Sequence, residues 1–295
     1  MIRPARPRKA ALLVVALGGA FLAIARTSGA GWVLVLMALL AGLLVAGIVA
    51  PVVPLARLRL HAQTPPDAEV GRPLEIELRP GAGTGSVLVR IPALGLGWVR
   101  ARPGVTEGAP ACRGIVQQVG VDAWCAAPLG LVAWRRRLTL VLPEPVHIAP
   151  APCMVDLPPL PERLGRGDEV VRGVRRYEPG DPQRLVHWPS LARTGVLSVR
   201  EFEAFDRPVL TVAVMLDGPA GAPAVEAAVS RAAGLVGVAL RAGLDVELWT
   251  AELAGPVRAP VRTALDGGRR LAAAVAGPLP DGLPAGAVVV RSDDR

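Results

Sequence analysis

The chain has 295 residues with a formal net charge of +8, and 52% of its residues are hydrophobic, which allows a membrane anchor and two modest domains. The three cysteines, Cys112, Cys125 and Cys153, are odd in number and form no Cys-x-x-Cys pair, so they argue against a disulfide framework and fit a reducing compartment. The basic balance suits acidic lipid headgroups or acidic proteins, whereas nucleic acid is disfavoured because three Phe and one Tyr leave little for base stacking and no reader motif is present.

Two long uncharged runs dominate the N-terminal region. The first extends from Ala10 to Ala25 and the second from Ala30 to Ala56. The second exceeds the roughly 20 residues that cross a bilayer as a helix, whereas the first is marginal on its own. We predict a transmembrane helical hairpin over residues 1–57. The alternative for the first run is a cleaved signal peptide, because Ala23-Ile24-Ala25 resembles a small-x-small cleavage site.

Basic residues flank these runs unevenly. Four precede the first run, two follow the second and one lies between them: Arg3, Arg6, Arg8 and Lys9, then Arg57 and Arg59, and Arg26. The side of the bilayer with more basic residues is the cytoplasmic one. The sequence therefore predicts a multi-pass protein of the cytoplasmic (inner) membrane, in contact with the lipid bilayer, whose soluble part stays in the cytoplasm even if the first run is cleaved.

Short strands are predicted from residue 58 to residue 148. Leu74–Leu78 and Ser86–Ile91 alternate between apolar and polar residues, which is typical of half-buried strands. The glycine-rich run Gly81–Gly85 between them is predicted to be a hairpin loop. Further strands are predicted at Ile115–Ala123, Leu131–Leu142 and Val146–Ile148. Strands at this spacing predict a small β-sandwich.

Residues 149–161 are predicted to be a linker, because five prolines block regular structure there. Residues 208–295 then alternate between strand and helix patterns. The predicted strands are Val209–Leu216, Val246–Thr250 and Ala287–Val290, and the predicted helices are Pro223–Ala242 and Thr263–Ala276. This order predicts right-handed crossovers and a short three-layer α/β domain with a parallel sheet.

The segment between these regions, residues 162–207, has the most distinctive sequence. Tyr177-Glu178-Pro179-Gly180-Asp181 has the chemistry of a type II turn. Asp181 is then placed as the N-cap of a short helix with Pro182 at its first position, and Pro189 is expected to interrupt that helix. A strand is predicted to restart at Val196–Glu201.

The sequence of this segment resembles the signature of bacterial membrane proteins of the domain of unknown function 58 family. The matching positions are Gly173, Arg175, Tyr177, Pro179-Gly180-Asp181, Arg184, Trp188, Ala192-Arg193, Gly195, Leu197, Val199 and Arg200-Glu201. Arg113-Gly114, Pro128-Leu129-Gly130-Leu131 and Pro143 are also similar to the strand-rich region that precedes the signature in that family. Pro189 and Leu191 depart from the residue types usual in the family.

This resemblance implies two N-terminal spans and a fold similar to von Willebrand factor type A domains after the signature. It also implies a MoxR-type AAA+ ATPase as a cytoplasmic partner. Type A domains bind a divalent ion through an Asp-x-Ser-x-Ser motif, but the corresponding residues here are Asp217-Gly218-Pro219-Ala220-Gly221. Because Pro and Gly offer no side-chain oxygen to a hard cation, the metal site is expected to be lost and Asp217 to be its remnant.

No catalytic set is evident, and no cofactor is expected. His187 and Asp181 are assigned structural or partner-facing roles, and the arginines of the segment either bind an anion or pair with nearby carboxylates. The sequence therefore predicts a membrane-anchored scaffold or adaptor without enzymatic activity. Its partner-binding residues are expected to be Arg175, Tyr177, Gly180, Asp181, Arg184, His187, Trp188, Arg193 and Arg200. The alternatives are a membrane-associated hydrolase that uses Asp181, His187 and Asp217, and an anion or lipid sensor.

Overall fold

The N-terminal region forms a strand followed by a helical hairpin. The computed structural model describes residues 2–7, 9–28, 31–158, 171–179, 181, 183–202 and 209–293. Strand β1 is Ile2–Pro7, helix α1 is Lys9–Ser28 and helix α2 is Gly31–Val49, and the two helices contact each other. Large apolar side chains cover their outer surfaces; Leu12 and Leu39, for example, are both 63% exposed.

The second apolar run of the sequence divides into two helices. Helix α3, Val52–Arg57, follows α2 after a turn at Ala50 and Pro51. Its Leu55 is fully buried in the core of the following β-rich region, so α3 belongs to that core as much as to the hairpin. Gly31–Arg57 is long and apolar enough to cross a membrane, whereas the apolar helix Leu12–Ile24 is shorter.

Eight strands follow α3 and form two sheets together with β1. They are β2 (Leu60–Gln63), β3 (Asp67–Glu69), β4 (Leu74–Pro80), β5 (Leu88–Ile91), β6 (Leu96–Arg100), β7 (Gly104–Gly108), β8 (Gly114–Cys125) and β9 (Val132–Ala149). The six-stranded sheet has the order β1-β9-β8-β5-β6, with β3 also paired to β9, and the three-stranded sheet has the order β2-β4-β7. Both sheets contribute side chains to one buried apolar cluster.

The prediction of a hairpin around Gly81–Gly85 is wrong. Strand β4 pairs with β2 and β7, whereas β5 pairs with β6 and β8 in the other sheet. The glycine-rich run therefore carries the chain from one sheet to the other. Thr84 is 1% exposed and its hydroxyl donates to the carbonyl oxygen of Gly81 at 2.6 Å, which holds the crossing in place.

The strands predicted at Leu131–Leu142 and Val146–Ile148 form one long strand, β9. Its pairing with β8 shifts register between Val116 and Gln118. A bulge of this kind lets a strand continue past Pro143 and Pro145, which cannot donate to the sheet.

The signature segment forms a separate two-stranded antiparallel ribbon. Strand β10 is Val171–Arg176 and strand β11 is Ser198–Phe202, and helix α4, Trp188–Thr194, lies between them in the chain.

The C-terminal region is a four-stranded sheet with two helices. Its elements are β12 (Val209–Met215), α5 (Pro223–Arg241), β13 (Asp245–Glu252), β14 (Gly255–Val261), α6 (Ala264–Ala273) and β15 (Val288–Arg291). The strand order is β14-β13-β12-β15, in which β12 is parallel to both neighbours and β14 is antiparallel to β13. Helix α5 is also long and apolar enough to cross a membrane, but it packs into the core of this region, and 44% of the residues in its apolar 18-residue stretch are buried.

This arrangement corrects the prediction of a three-layer domain with a parallel sheet. Helices α5 and α6 contact each other and share one apolar cluster with alternate residues of β12, Leu210, Val212 and Val214. Both helices therefore cover the same face of the sheet, so the described residues contain one helical layer. The antiparallel strand β14 was not predicted, because Pro256 and Pro260 argue against a strand in the sequence. At the edge of a sheet both prolines are tolerated.

The predicted linker is packed rather than free over its described part, residues 149–158. The N–H of Cys153 donates to the carbonyl oxygen of Ser230 in α5 at 3.1 Å. Val155 and Leu157 pack against the apolar cluster of the C-terminal region. The backbone of this segment approaches α5 closely at Gly234. A Cβ atom at that position would lie 2.2 Å from the carbonyl oxygen of Cys153, so only glycine leaves room for the contact.

Candidate functional site

The ribbon β10–β11 positions the signature residues. Arg175 lies opposite Val199, and the N–H of Tyr177 donates to the carbonyl oxygen of Leu197 at 3.0 Å. Val186 also bridges to Val199, and both side chains are buried. The segment between the strands is thereby attached to the ribbon at both of its ends.

A pair of charged residues closes the turn after β10. Arg175 donates two hydrogen bonds to the carboxylate of Asp181, at 2.6 and 2.9 Å. The N–H of Glu178 donates to Asp181 Oδ2 at 3.0 Å, and the N–H of Asp181 donates back to the carbonyl oxygen of Glu178 at 3.1 Å. The hydrogen bonds from Arg175, and then the one from Glu178, hold the pKa of Asp181 below its ordinary value. Asp181 therefore stabilises the turn as a carboxylate.

The helix of the segment begins later than predicted. After Asp181 the chain forms a short 3-10 turn, Gln183–Leu185, and α4 starts at Trp188. Pro189 does not interrupt this helix but lies in its first turn, where a residue without an N–H is accommodated because no partner is required there. Gly195 ends the helix with a φ of 69°, as expected for a glycine at this position.

Helix α4 presents a large aromatic side chain to the solvent. Trp188 is 63% exposed, and Arg193 on the same helix is also exposed. His187 immediately precedes the helix; its N–H donates to the carbonyl oxygen of Ser198 at 2.8 Å, and its buried Nδ1 has no hydrogen-bond partner among the described residues. The ribbon therefore fixes the start of α4 through a backbone bond of His187.

For two further predicted residues, Arg184 and Arg200, the structure gives the position of the backbone. Arg184 lies in the 3-10 turn and Arg200 lies on β11 opposite Val174, while Gly180 lies outside the described residues. Arg175 pairs with a nearby carboxylate, which was one of the two alternatives for the arginines of this segment.

Asp217 lies at the end of β12, in a different sheet from the ribbon. Its N–H donates to the hydroxyl of Ser292 at 2.9 Å. The nearby Gly221 donates its N–H to Glu226 Oε1 at 3.0 Å. Within the part of the chain that the structure describes, no three His, Cys, Asp or Glu side chains are grouped closely enough to hold a metal ion.

Two further groups of residues were missed by the sequence reasoning. The first joins the β-rich region to the C-terminal region. The side chain of Arg113 is 2% exposed, and its Nε lies 3.2 Å from the carboxylate of Glu226 in α5. Its Nη1 donates to the carbonyl oxygens of Leu271 and Ala274 at the end of α6. Arg269 of α6 donates two hydrogen bonds of 2.7 Å to Asp67.

The second group joins the β-rich region to the helical hairpin. Trp134 of β9 donates from Nε1 to the carbonyl oxygen of Ile48, near the end of α2, at 3.0 Å. Arg136 donates from Nη1 to the carbonyl oxygens of Leu55 and Ala56 at the end of α3. The carbonyl of Leu55 also accepts from the N–H of Leu58 at 3.4 Å, and the arginine adds a charged donor at this end of the helix. A single sequence carries no signal for either group, because their members are far apart along the chain.

Comparison of the chain with family models, with curated proteins and with solved structures finds no match.

Proposed function

We propose that the chain is a membrane-anchored scaffold or adaptor that docks a cytoplasmic protein through its signature segment. The observation that carries the proposal is the 63% exposure of Trp188 at the start of a helix that a separate ribbon holds in place. Burying a large aromatic side chain provides much of the free energy of protein association, and tryptophan and arginine are the residues most enriched at the centres of interfaces.

The local structure supports docking because it is organised before a partner binds. The pair Arg175–Asp181 and the backbone bond from His187 to Ser198 fix the turn and the helix start. A surface that is already ordered loses less conformational entropy on binding. Arg193, one and a half turns after Trp188, adds a planar hydrogen-bonding group on the same helix.

The alternative of a hydrolase is less well supported. Its proposed base, Asp181, is bonded by Arg175, and a carboxylate with a lowered pKa is a weaker base at neutral pH. Asp217 lies in another sheet, where its backbone is bonded to Ser292.

The partner is proposed from the family resemblance. Proteins of the domain of unknown function 58 family are expected to work with MoxR-type AAA+ ATPases, and we propose such an ATPase as the protein that docks on α4. The C-terminal region is proposed to be a shortened von Willebrand factor type A-like domain. In support, β12 is parallel to both neighbours, helix α5 follows it, and Asp217 lies two residues after its end.

The anchor is proposed to be a helical hairpin with both ends in the cytoplasm. Strand β1, which precedes the hairpin, pairs with β9 of the β-rich region, which follows it. Two segments of one sheet lie on the same side of a membrane, so the chain between them crosses an even number of times. The basic flanks support the cytoplasmic side.

Partner capture by the full-length chain tests the docking proposal. We expect Trp188→Ala or Arg193→Ala to reduce capture of the ATPase at least tenfold while the thermal midpoint of unfolding stays nearly unchanged, because both side chains are exposed. Arg262→Ala is the matched control, since Arg262 is an exposed arginine outside the segment. If every change that weakens capture also lowers the midpoint, the segment supports the fold and does not dock a partner.

Reporter fusions test the topology. A reporter fused after Arg295 should be active only in its cytoplasmic form, and alkaline phosphatase activity at that site would contradict the proposal. A cysteine placed at Ser28 should be labelled from outside the cell if the hairpin is retained.

A further inference from the structure

The outer face of the six-stranded sheet has an unusual row of side chains. Strand register places five residues from five adjacent strands directly opposite one another: Arg3, Arg135, Trp124, Leu88 and Arg100. We call these residues the basic row. Directly opposite residues share one face of a sheet, so three guanidinium groups and one indole lie side by side on the surface.

A second row beside it adds positive charge. Asp122 lies opposite Arg137 and Arg90 and accepts a 2.8 Å hydrogen bond from each of them. Arg90 also lies over the ring of Trp98, 5.2 Å from its centre. The two rows therefore carry five arginines and one carboxylate. Arg100 and Arg135 have no carboxylate within salt-bridge distance among the described residues.

The basic row borders a cleft of about 440 Å³. The cleft is lined by Leu88, Arg100 and Trp124 of the row and by residues of the following loop, Ala126, Ala127, Pro128 and Gly130. The cleft thus combines a guanidinium group with an aromatic ring and small apolar side chains. A site of this composition suits a ligand with a phosphate next to an apolar portion.

The cleft lies next to the apolar hairpin. Leu131, which follows the loop, packs against α2 at Gly47, where an added Cβ would meet its side chain. Trp134 donates to the carbonyl oxygen of Ile48, and Arg135 is the next residue along the strand. Arg3 lies four extended residues, about 13 Å, before the end of β1, and the hairpin begins two residues later at Lys9. The end of the basic row that carries Arg3 and Arg135 is therefore close to the hairpin.

We propose that the basic row and its cleft bind the headgroup of an acidic phospholipid, with Arg100 and Trp124 at the phosphate in the cleft and Arg135 adding positive charge on the other side of Trp124. The inference rests on the proposed membrane anchor and adds a lipid specificity to it. Tryptophan and arginine are favoured at the headgroup level, and each basic residue near an acidic leaflet contributes to binding. A basic face with aromatic side chains could also bind single-stranded nucleic acid, but the position against the hairpin favours lipid.

Lipid retention by the purified full-length chain tests this site. The chain would be held in a neutral detergent and titrated with phosphatidylglycerol or phosphatidylcholine, and retained lipid would be counted by native mass spectrometry. We expect phosphatidylglycerol to be retained preferentially. The double change Arg100→Gln and Arg135→Gln should weaken its retention about thirtyfold. Arg79→Gln is the matched control, since Arg79 is exposed on the other sheet, and it should leave retention unchanged.

Other outcomes would overturn the proposal. They are equal retention of both lipids, retention that the double change does not alter, displacement of the lipid by millimolar inorganic phosphate, and displacement by a single-stranded oligonucleotide at micromolar concentration. The last two would identify a free-phosphate site and a nucleic-acid face. The changed residues are outside α4, so capture of the ATPase by the double variant should be normal. Recovery of the wild-type chain from cells without detergent would contradict the anchor itself and not the sheet face.

Discussion

Arg113 and Glu226 form an ion pair across the boundary between the β-rich region and the C-terminal region, with Nε 3.2 Å from Oε2. The arginine side chain is 2% exposed and the glutamate side chain 29% exposed. Arg113 also bonds the last carbonyl oxygens of α6, so one side chain from the β-rich region contacts both C-terminal helices. The position of the two regions relative to each other therefore depends on a nearly buried charge.

Removing this charge should destabilise the chain. Arg113→Ala removes the ion-pair partner of Glu226 and the hydrogen bonds from the guanidinium to the carbonyl oxygens of Leu271 and Ala274. We expect a loss of about 2–3 kcal/mol in the free energy of unfolding, less than for a fully buried pair because Glu226 is partly solvated. Thermal unfolding in detergent measures this. Arg72→Ala is the control, since Arg72 is 70% exposed, and should change the free energy by less than about 0.5 kcal/mol. A variant Arg113→Met as stable as the wild type would show that packing, and not the charge, joins the regions.

The second contact across this boundary should make stability depend on pH. The hydrogen bonds from Arg269 hold the pKa of Asp67 below its ordinary value of 3.8, against the opposing effect of burial. A lowered pKa in the folded state stabilises it above the unfolded pKa, and the contribution is lost as pH falls through the folded pKa. We expect Asp67→Asn to lower the free energy of unfolding by less than about 1 kcal/mol at pH 7, since Arg269 is 43% exposed. Below the folded pKa of Asp67 the same change should not alter the free energy of unfolding.

Unfolding of four proteins at pH 7 and at decreasing pH checks this prediction. They are the wild type, Asp67→Asn, Arg269→Gln and the double variant. The two single changes should not add in the double variant, because they remove the same interaction. A difference between wild type and Asp67→Asn that persists unchanged at pH 2 would contradict it.

The sequence predicted features that depend on local composition. Uncharged runs indicate apolar helices wherever they occur, and helices lie at both predicted runs. The positions of α5 and of most strands follow similarly from periodicity. Gly81–Gly85 shows the limit of this reasoning. A turn signal indicates that a strand ends but not which sheet the next strand joins.

Long-range contacts could not be predicted for a different reason. Arg113 and Glu226 are separated by many elements, and nothing in the composition around either residue indicates the other. The basic row likewise exists only through the register of five strands. Arg100 and Arg135 are ordinary surface arginines in the sequence and join one row with Trp124 only when β6, β5, β8 and β9 pair.

The loop after β12, residues 217–221, should not bind divalent ions. Pro219 and Gly221 offer no side-chain oxygen near Asp217. The carboxylate of Glu226 in α5, which accepts from Gly221 of this loop, is already engaged by Gly221 and Arg113. Mg²⁺ requires a near-octahedral set of oxygen ligands. Calorimetry on the full-length chain should show no Mg²⁺ or Mn²⁺ binding below millimolar concentration. Tight binding that Asp217→Ala abolishes would contradict this expectation.

The linker contact at Gly234 should respond to the smallest possible substitution. Alanine is favoured over glycine in a helix by about 1 kcal/mol, so Gly234→Ala would stabilise α5 if nothing opposed it. The added Cβ would lie 2.2 Å from the backbone carbonyl oxygen of Cys153, and a backbone atom cannot move aside as a side-chain end can. We expect a net loss of about 1–3 kcal/mol and faster protease cleavage within residues 149–158. Gly237→Ala on the same helix is the control, because its Cβ would meet only the end of the Arg241 side chain, at 3.4 Å, and it should be neutral or stabilising. Equal stability of the two variants would show that the linker leaves α5 at little cost, and Gly234 would then have no packing role.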